Sequence, residues 1–295
     1  MVAKEWCPMR IVVWGLPLHS HTHSYIHYAF SKASQHMGFE TYWVPDDLEH
    51  NQLIDENSLV ICCGISDKNL KAVKGAKYIL HNSDRDDIRA VAKSITLQVY
   101  THDVLTRNVE KLSDLTFWES STKTLYQPWA TDLVPKEIKE IDPIIQKENF
   151  NVNWVGSVTD GEHGNISELQ EYAKFCEDNN LKFTVSRLAS ADNNVSLIRK
   201  SRHSPALQGK WQVEKGYIPC RIFKNISYGC WSLTNSSTTA SLLELEDCPS
   251  VEKVFIASEN FITNGTVSMI KDKMKLVSDK HTYINRLNTI IKCIQ

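Results

Sequence analysis

The sequence predicts an α/β protein made of two domains of similar size, each containing a parallel sheet. Three observations support this fold class. Strand and helix patterns alternate through the first half of the chain, as they do in βαβ units. A charged segment with two prolines and no strand pattern follows at 130–151, and the alternation then starts again. A length of 295 residues is sufficient for two such domains.

The first domain is predicted from short apolar runs separated by helical patterns. The run 10–14 is rich in β-branched residues and ends at Gly15, which is typical of a buried parallel strand. The helix after it spans 24–38, with Ser24 as the expected N-cap and Gly38 as the C-cap. The other predicted strands are 40–46, 58–64, 77–82, 95–101 and 123–129, and the other predicted helices are 66–75 and 85–94.

The second domain repeats this alternation. Apolar residues at helical spacing predict an amphipathic helix over 165–180. The predicted strands are 153–157, 181–186, 204–209 and 231–236, and the remaining predicted helices are 192–201, 219–229 and 280–294.

Composition restricts the classes of function. Lys and Arg total 33 against 35 for Asp and Glu, so the net charge of −2 gives no basic excess and predicts no nucleic-acid partner. No apolar run reaches the 18 residues of a membrane span, and the N-terminal apolar run is too short for a secretory signal. The eight cysteines form no CxxC pair and are expected to be free thiols. A cytoplasmic location is therefore expected.

The segment 219–229 carries a candidate anion site. Arg221 and Lys224 lie three residues apart, within the first two turns of the predicted helix. Ile218, the expected N-cap, supplies no capping oxygen, and Gly216 lets the backbone bend closely before the helix. Free N–H groups, the helix dipole and two cations would together suit a diphosphate. The alternative is a solvated basic face on a structural helix.

Three alternating histidines, His19, His21 and His23, follow the first predicted strand. Ligands of open α/β sheets bind at the carboxyl ends of strands, and histidine can act as a base near neutral pH. One of the three is expected to act as a catalytic base or a substrate contact. A His-x-His metal site and a polar surface loop are the alternatives.

The stretch 204-SPALQGKWQVEKGYIPCRIFKNISYGCWSLTNS-236 resembles the donor-binding segment of glycosyltransferases of the GT-B fold. The stretch 126-YQPWATDLVP-135 looks like that family's crossing into the hinge, and 280–294 is similar to its C-terminal helix. The resemblance implies two Rossmann-like α/β/α domains facing a cleft, with the C-terminal helix packing back on the N-terminal domain. The implied bounds are 1–130 for the acceptor-side domain, 131–151 for the linker, 152–278 for the nucleotide-sugar domain and 279–295 for the returning helix. The E-x-G-x-x-x-E pattern of many retaining members is missing.

The resemblance also implies a function. The chain is expected to move a sugar from a GDP- or UDP-linked donor to the hydroxyl of a glycan or glycoconjugate, without a metal ion or another cofactor. Arg221 and Lys224 would hold the diphosphate and stabilise the leaving nucleotide. The other implied donor contacts are Ser157, Arg187, the backbone of Leu207 and Gln208, Tyr217 and Ser227. A homodimer is also considered.

Other functions remain open at this stage. Asp84 and Asp86 match the short D-x-D metal motif of the GT-A fold, but Asp84 is better interpreted as a helix N-cap. A two-domain protein that binds sugars or nucleotides without chemistry, and a sugar-nucleotide epimerase of the same fold, are the alternatives to a transferase.

Overall fold

The structure is a computed structural model that describes residues 9–18, 20–45, 48–63, 69–82, 85–104, 109–187 and 191–295. The chain divides into two compact units. Unit 1 consists of Met1–Gln98, Asn108–Gln127 and Tyr283–Gln295, and unit 2 consists of Val99–Arg107 and Pro128–Thr282. The chain therefore passes from one unit to the other several times.

Unit 1 contains a sheet of eight strands within the described residues, in the order β2-β1-β3-β4-β5-β8-β7-β6. The strands are β1 Arg10–Gly15, β2 Thr41–Pro45, β3 Ser58–Cys63, β4 Lys77–His81, β5 Lys93–Gln98, β6 Glu110–Ser113, β7 Thr116–Glu119 and β8 Thr124–Tyr126. From β2 to β8 all pairs are parallel, whereas β8-β7-β6 is antiparallel. The central strands are buried on both faces because their runs of β-branched and aliphatic residues are continuous.

The helices of unit 1 are α1 Thr22–His36, α2 Asp86–Val91 and α11 Tyr283–Ile294, together with a short 3₁₀ turn at Asn51–Leu53. Helix α11 packs against α1 and β5. The rings of Tyr283 and Phe30 meet edge to face with their centroids 4.7 Å apart, and Leu287 is fully buried. The C-terminal helix thus packs on the N-terminal unit, as expected.

Unit 2 has one parallel pair of strands, β9 Asn151–Val155 and β10 Lys182–Ser186, within its described residues. Its helices are α3 Pro135–Lys139, α4 Ile166–Asp178, α5 Ala191–Arg199, α6 Lys210–Glu214, α7 Cys220–Ser227, α8 Ser237–Leu242, α9 Val251–Asn264 and α10 Val267–Lys280, with a 3₁₀ turn at His102–Val104. Trp154 of β9, Tyr172 of α4 and Val254 of α9 share one core. The strand pair therefore lies on a helical core.

A polar network crosses this core. The hydroxyl of Tyr172 lies 2.9 Å from Nδ1 of His203, and Nε2 of His203 lies 2.5 Å from Oε1 of Glu259. Arg202 donates two hydrogen bonds of 2.7 Å to the same carboxylate. These hydrogen bonds lower the pKa of Glu259 to about 2, and the bonds from Arg202 have the largest effect. The carboxylate is therefore ionised and paired with Arg202.

Three sequence-based expectations about elements are wrong. A helix was predicted over 66–75, but residues 69–75, which the structure describes, are not helical. Side chains form hydrogen bonds with the backbone groups of this segment. The amide of Asn51 bonds the carbonyl of Asn69 and the N–H of Lys71, and the hydroxyl of Tyr78 accepts from the N–H of Val73.

The segments 204–209 and 231–236 are not strands either. One backbone hydrogen bond joins them, from the Ala206 N–H to the Leu233 carbonyl. At the next position, the side-chain amide of Asn235 bonds the Gln208 backbone, where a strand would have a second backbone bond. Sequence patterns also missed the antiparallel β6–β7 hairpin and the helices α9 and α10.

No helix in the described ranges combines the length and the apolarity that crossing a membrane requires.

The packing of α11 gives the first prediction. We expect Leu287→Ala to lower the free energy of unfolding of unit 1 by about 2–5 kcal/mol, because it leaves a cavity under a helix that completes the unit. Asn288→Ala, at an exposed position of the same helix, is the control and should change it by less than about 0.5 kcal/mol. Urea unfolding followed by tryptophan fluorescence measures both. Equal effects would show that α11 does not contribute packing to the unit.

Candidate functional site

The candidate anion site lies at the start of α7 in unit 2. Pro219, and not Ile218 as predicted, is the N-cap: its backbone is extended at φ −68° and ψ 150°, and no side chain caps the helix. Ile222, Phe223 and Ile226 are buried, which fixes one face of α7 in the core. The N-cap residue itself therefore supplies no oxygen to the first N–H groups of the helix.

Arg221 leaves the other face of α7 and contacts the end of β9. Its guanidinium carbon lies 3.5 Å from the centre of the Trp154 ring, and Nη1 donates to the carbonyl of Val155. A β-carbon on Gly156 would lie 2.5 Å from Nη2, so this approach requires a glycine there. Gly156 also has φ +129°, which other residues rarely adopt.

Arg221 carries a charge that no acidic residue neutralises within the described part of the chain. Burial lowers its pKa to about 10, so the guanidinium remains protonated at neutral pH. Its bond to a carbonyl and its contact with an aromatic face satisfy some of its donors but leave its charge uncompensated. A partly buried cation of this kind favours an anionic ligand.

Ser157 and Arg187 lie close to this point. They follow the parallel strands β9 and β10, whose ends are joined by a 2.8 Å bond from Gly156 N–H to the Ser186 carbonyl. Ser157 is partly buried and Arg187 is exposed. The carboxyl edge of this strand pair therefore brings together Ser157, Arg187 and Arg221, three of the predicted donor contacts.

Lys224 has a different environment from Arg221. Its Nζ lies 3.3 Å from Oδ2 of Asp132, and the two side chains are 13% and 15% exposed. The Tyr228 hydroxyl lies 2.8 Å and 2.9 Å from the two oxygens of the same carboxylate. Sequence reasoning missed Asp132, which had been assigned to the linker. The predicted clamp therefore contains a carboxylate besides its two cations.

Ser227 and Tyr217 both make contacts with neighbouring side chains. Ser227 is fully buried, and its Oγ lies 2.7 Å from Oγ1 of Thr131. Tyr217 is partly buried beside Tyr100, with ring centroids 5.8 Å apart, and burial raises its pKa well above the usual range. Both residues hold the surroundings of α7 together, and their predicted role as donors to a ligand stays a prediction.

The backbone of Gln208 is already hydrogen-bonded. Its N–H donates to Oδ1 of Asn235 and its carbonyl accepts from Nδ2 of the same side chain, both at 2.8 Å. Leu207 is 2% exposed and packs in the core of unit 2. The prediction that this backbone contacts a base is untested, and Asn235 is the residue that fixes its position.

The predicted histidines belong to unit 1. His19 lies outside the described residues. His21 is the N-cap of α1, and its Nδ1 accepts from the N–H of His23 at 3.2 Å. The ring of His23 lies 5.1 Å from that of His21 and 5.8 Å from that of His81, measured between centroids. Burial first, and then the neighbouring imidazoles, lower the pKa of His23 to about 4, so its ring is neutral near pH 7.

Two further histidines complete this cluster. His81 ends β4, with Nδ1 3.0 Å from the Leu97 carbonyl. His27 is buried in α1, and its Nδ1 accepts from the N–H of Leu16 at 3.1 Å, directly against Gly15. The alternation 19–21–23 suggested an extended loop, whereas helix α1 begins at Thr22 and places His23 and His27 one turn apart.

A metal site finds no support in these ranges. Among the described residues, no group of three or more histidine, cysteine or acidic side chains could hold a metal ion. Asp86 is exposed in the first turn of α2, and Asp84 lies outside the described residues. A small surface depression, lined by Arg202, His203 and Phe261 among others, contains none of the predicted site residues.

Comparison with known proteins identifies the fold. No protein-family model matches the chain, and no curated protein matches it in sequence. It is similar to a crystal structure of the DNA-modifying enzyme β-glucosyltransferase, determined with and without its substrate uridine diphosphoglucose. The TM-score is 0.51 at 10% sequence identity, over 97% of this chain and 99% of that one. The fold is that of GT-B glycosyltransferases. A T4 phage β-glucosyltransferase structure aligns over the same shares, with a TM-score of 0.42 and 11% identity.

The comparison corrects the predicted partners. The sequence predicted no nucleic-acid partner and a glycan or glycoconjugate acceptor, but a structure that shares this fold is that of a DNA-modifying enzyme. That exclusion was wrong because a net charge of −2 averages over the whole chain. DNA responds to the local arrangement of cations, which a total does not report.

The histidine cluster gives the second prediction. Burial, followed by the charges of His23, His81 and His21, lowers the pKa of His27 from 6.5 to about 3. Between these values the unfolded chain binds more protons than the folded one. The free energy of unfolding should therefore fall as the pH drops from 6.5 towards 3.

His27→Asn keeps an acceptor for the Leu16 N–H but cannot titrate, so we expect its stability to decline less steeply over pH 7 to 4. The exposed Gln35→Ala in the same helix is the control and should run parallel to the wild type. Urea unfolding at several pH values measures this. Parallel curves for His27→Asn and the wild type would contradict the prediction.

Proposed function

We propose that this chain is a glycosyltransferase that moves a sugar from a nucleoside-diphosphate sugar to an acceptor in DNA, with the diphosphate held by side chains and not by a metal ion. The observation that carries the proposal is Arg221, a partly buried guanidinium without an acidic partner in the described residues, at the uncapped start of α7. The N-terminus of a helix and a guanidinium are both suited to phosphate oxygens.

The reaction divides into two tasks. The bond between the sugar's anomeric carbon and the diphosphate oxygen breaks, and the nucleoside diphosphate leaves with one additional negative charge. Arg221 and the N–H groups of α7 would stabilise that charge as it develops. Gly156 leaves room for the Arg221 guanidinium, and Ser157 and Arg187 would supply further donors at the same strand edge.

The acceptor hydroxyl forms the new bond to the anomeric carbon and gives its proton to a base. His21 and His23 remain the proposed candidates for this base within the described residues. His23 is neutral near pH 7, so it can accept a proton, although a pKa of about 4 makes it a weak base. His21 is exposed and has Nδ1 engaged by the His23 N–H, which leaves its Nε2 for the acceptor.

Lys224 is proposed as the secondary cation of the site. Its partnership with Asp132 means that part of its charge is already compensated. An anion would therefore gain less from Lys224 than from Arg221. The two cations are equivalent in the sequence pattern but not in the structure.

The choice of donor and acceptor is supported by the fold comparison. One enzyme with the same fold has uridine diphosphoglucose as its substrate and modifies DNA. UDP-glucose and duplex DNA are therefore the first substrates to test with this chain. Donors with other nucleotides and sugars are tested after them.

The third prediction concerns nucleotide binding. We expect Arg221→Ala to weaken UDP binding by about 10- to 100-fold, the loss of one or two hydrogen bonds between charged groups. Lys224→Ala should weaken it less. Lys210→Ala, whose side chain is 87% exposed, is the control and should leave it unchanged. Isothermal titration calorimetry without divalent ions measures all three, with circular dichroism to verify folding. Wild-type affinity in folded Arg221→Ala would contradict the proposed site.

The transfer itself has a separate test. The protein is incubated with UDP-glucose labelled in the sugar and with duplex DNA, and both the label in DNA and the released UDP are measured. Label in DNA supports the proposal. UDP-glucose binding without transfer to any DNA substrate and without UDP release would indicate a binding protein and not a transferase.

A further inference from the structure

Asp132 is an acidic residue placed inside a site that is proposed to bind a diphosphate. We propose that Asp132 reduces the net positive charge of this site, so that it discriminates against the nucleoside diphosphate product relative to the nucleotide-sugar donor. This inference rests on the proposed function. It assigns a specificity role to a residue in the segment 131–151, which the sequence pattern identifies only as a linker.

The position of Asp132 is fixed by three contacts. Its Oδ2 lies 3.3 Å from Nζ of Lys224 on α7. Tyr228, the residue after α7, places its hydroxyl 2.8 Å and 2.9 Å from the two carboxylate oxygens. The neighbouring Thr131 is joined to Ser227 of α7 by a hydrogen bond of 2.7 Å. The carboxylate is therefore attached to the same helix that carries the proposed anion site.

Asp132 also affects the start of α7. Lys224 follows Arg221 by one helical turn, and its Nζ pairs with the Asp132 carboxylate at 3.3 Å. The Cys220 thiol, at the first position of the helix, responds to the same groups. Burial raises its pKa most, Lys224 and Arg221 lower it, and Asp132 raises it. The helix start thus lies within the electrostatic range of all three charges.

The charges of this cluster differ in their effect on the two nucleotides. Two cations and one carboxylate leave one net positive charge. A nucleotide sugar carries two negative charges, whereas a nucleoside diphosphate has a terminal phosphate whose second pKa is about 6 and so carries nearly three at pH 7.5. The additional charge of the product is repelled by Asp132. Because the carboxylate is only 15% exposed, solvent screens this repulsion incompletely.

The consequence concerns product release. A site with both cations uncompensated would bind the released nucleoside diphosphate more tightly than the donor, since the product carries more charge. Asp132 would limit that preference and let the product leave. One unit charge at this range changes an affinity by about 3- to 10-fold.

The test compares two ligands and three proteins. Calorimetry at pH 7.5 without divalent ions gives the Kd values of UDP and UDP-glucose for the wild type, Asp132→Asn and Tyr228→Phe. Asn keeps an oxygen for the Tyr228 hydroxyl but removes the charge. We expect Asp132→Asn to tighten UDP about 3- to 10-fold more than UDP-glucose. Tyr228→Phe removes the hydrogen bonds but keeps the charge, so it should leave the ratio of the two Kd values at the wild-type value.

The outcomes distinguish a failure of the proposed function from a failure of the role assigned to Asp132. If the wild type binds neither ligand, the proposed function fails. If the wild type binds both but Asp132→Asn leaves their ratio unchanged, or Tyr228→Phe changes it equally, Asp132 is a structural residue and this inference is wrong.

If Asp132→Asn does not fold, Asp132→Ser is measured in its place, since it keeps a hydroxyl for Tyr228 and removes the charge. The same tightening of UDP relative to UDP-glucose is expected. An unchanged ratio of the two Kd values would overturn the inference.

Discussion

The contact between Arg221 and the end of β9 is the interaction on which the candidate site depends. It joins α7 to the strand pair, because the guanidinium lies over the Trp154 ring and is bonded to the Val155 carbonyl. It also explains Gly156, whose missing side chain makes room for the guanidinium. A cation held by an aromatic face and a carbonyl keeps its full charge, unlike one held by a carboxylate.

The two cations of α7 show how tertiary context divides residues that a sequence pattern treats alike. Both lie on the same side of the helix. Arg221 faces the carboxyl edge of the strands, where ligands of α/β sheets bind, whereas Lys224 faces the chain segment that enters unit 2. The planar guanidinium can stack and bond simultaneously, which the point charge of a lysine cannot. The site is therefore asymmetric, with one strong and one partly neutralised cation.

The sequence predicts much of unit 1 and less of unit 2. The parallel strands β1, β3 and β4 follow from apolar runs that end in turn residues, and burial on both faces makes such runs continuous. The β6–β7 hairpin was missed because β6 is exposed throughout and shows no alternation.

The candidate site divides in the same way. Arg221 was found from its position near the start of a helix. Asp132, His81 and Asn235 were not, because each contributes through a partner distant in the sequence, and periodicity contains no information on such pairs. The pairing of Glu259 with His203 was not predicted for the same reason.

The helix α11 has a consequence for how the protein is made. Unit 1 begins with the first strands of the chain, but its packing is completed by residues that follow the whole of unit 2. During synthesis, therefore, the apolar surface of unit 1 that α11 covers remains exposed while unit 2 is translated and folds. A chaperone that binds exposed apolar surface could therefore bind unit 1 throughout the synthesis of residues 128–282, before α11 covers that surface.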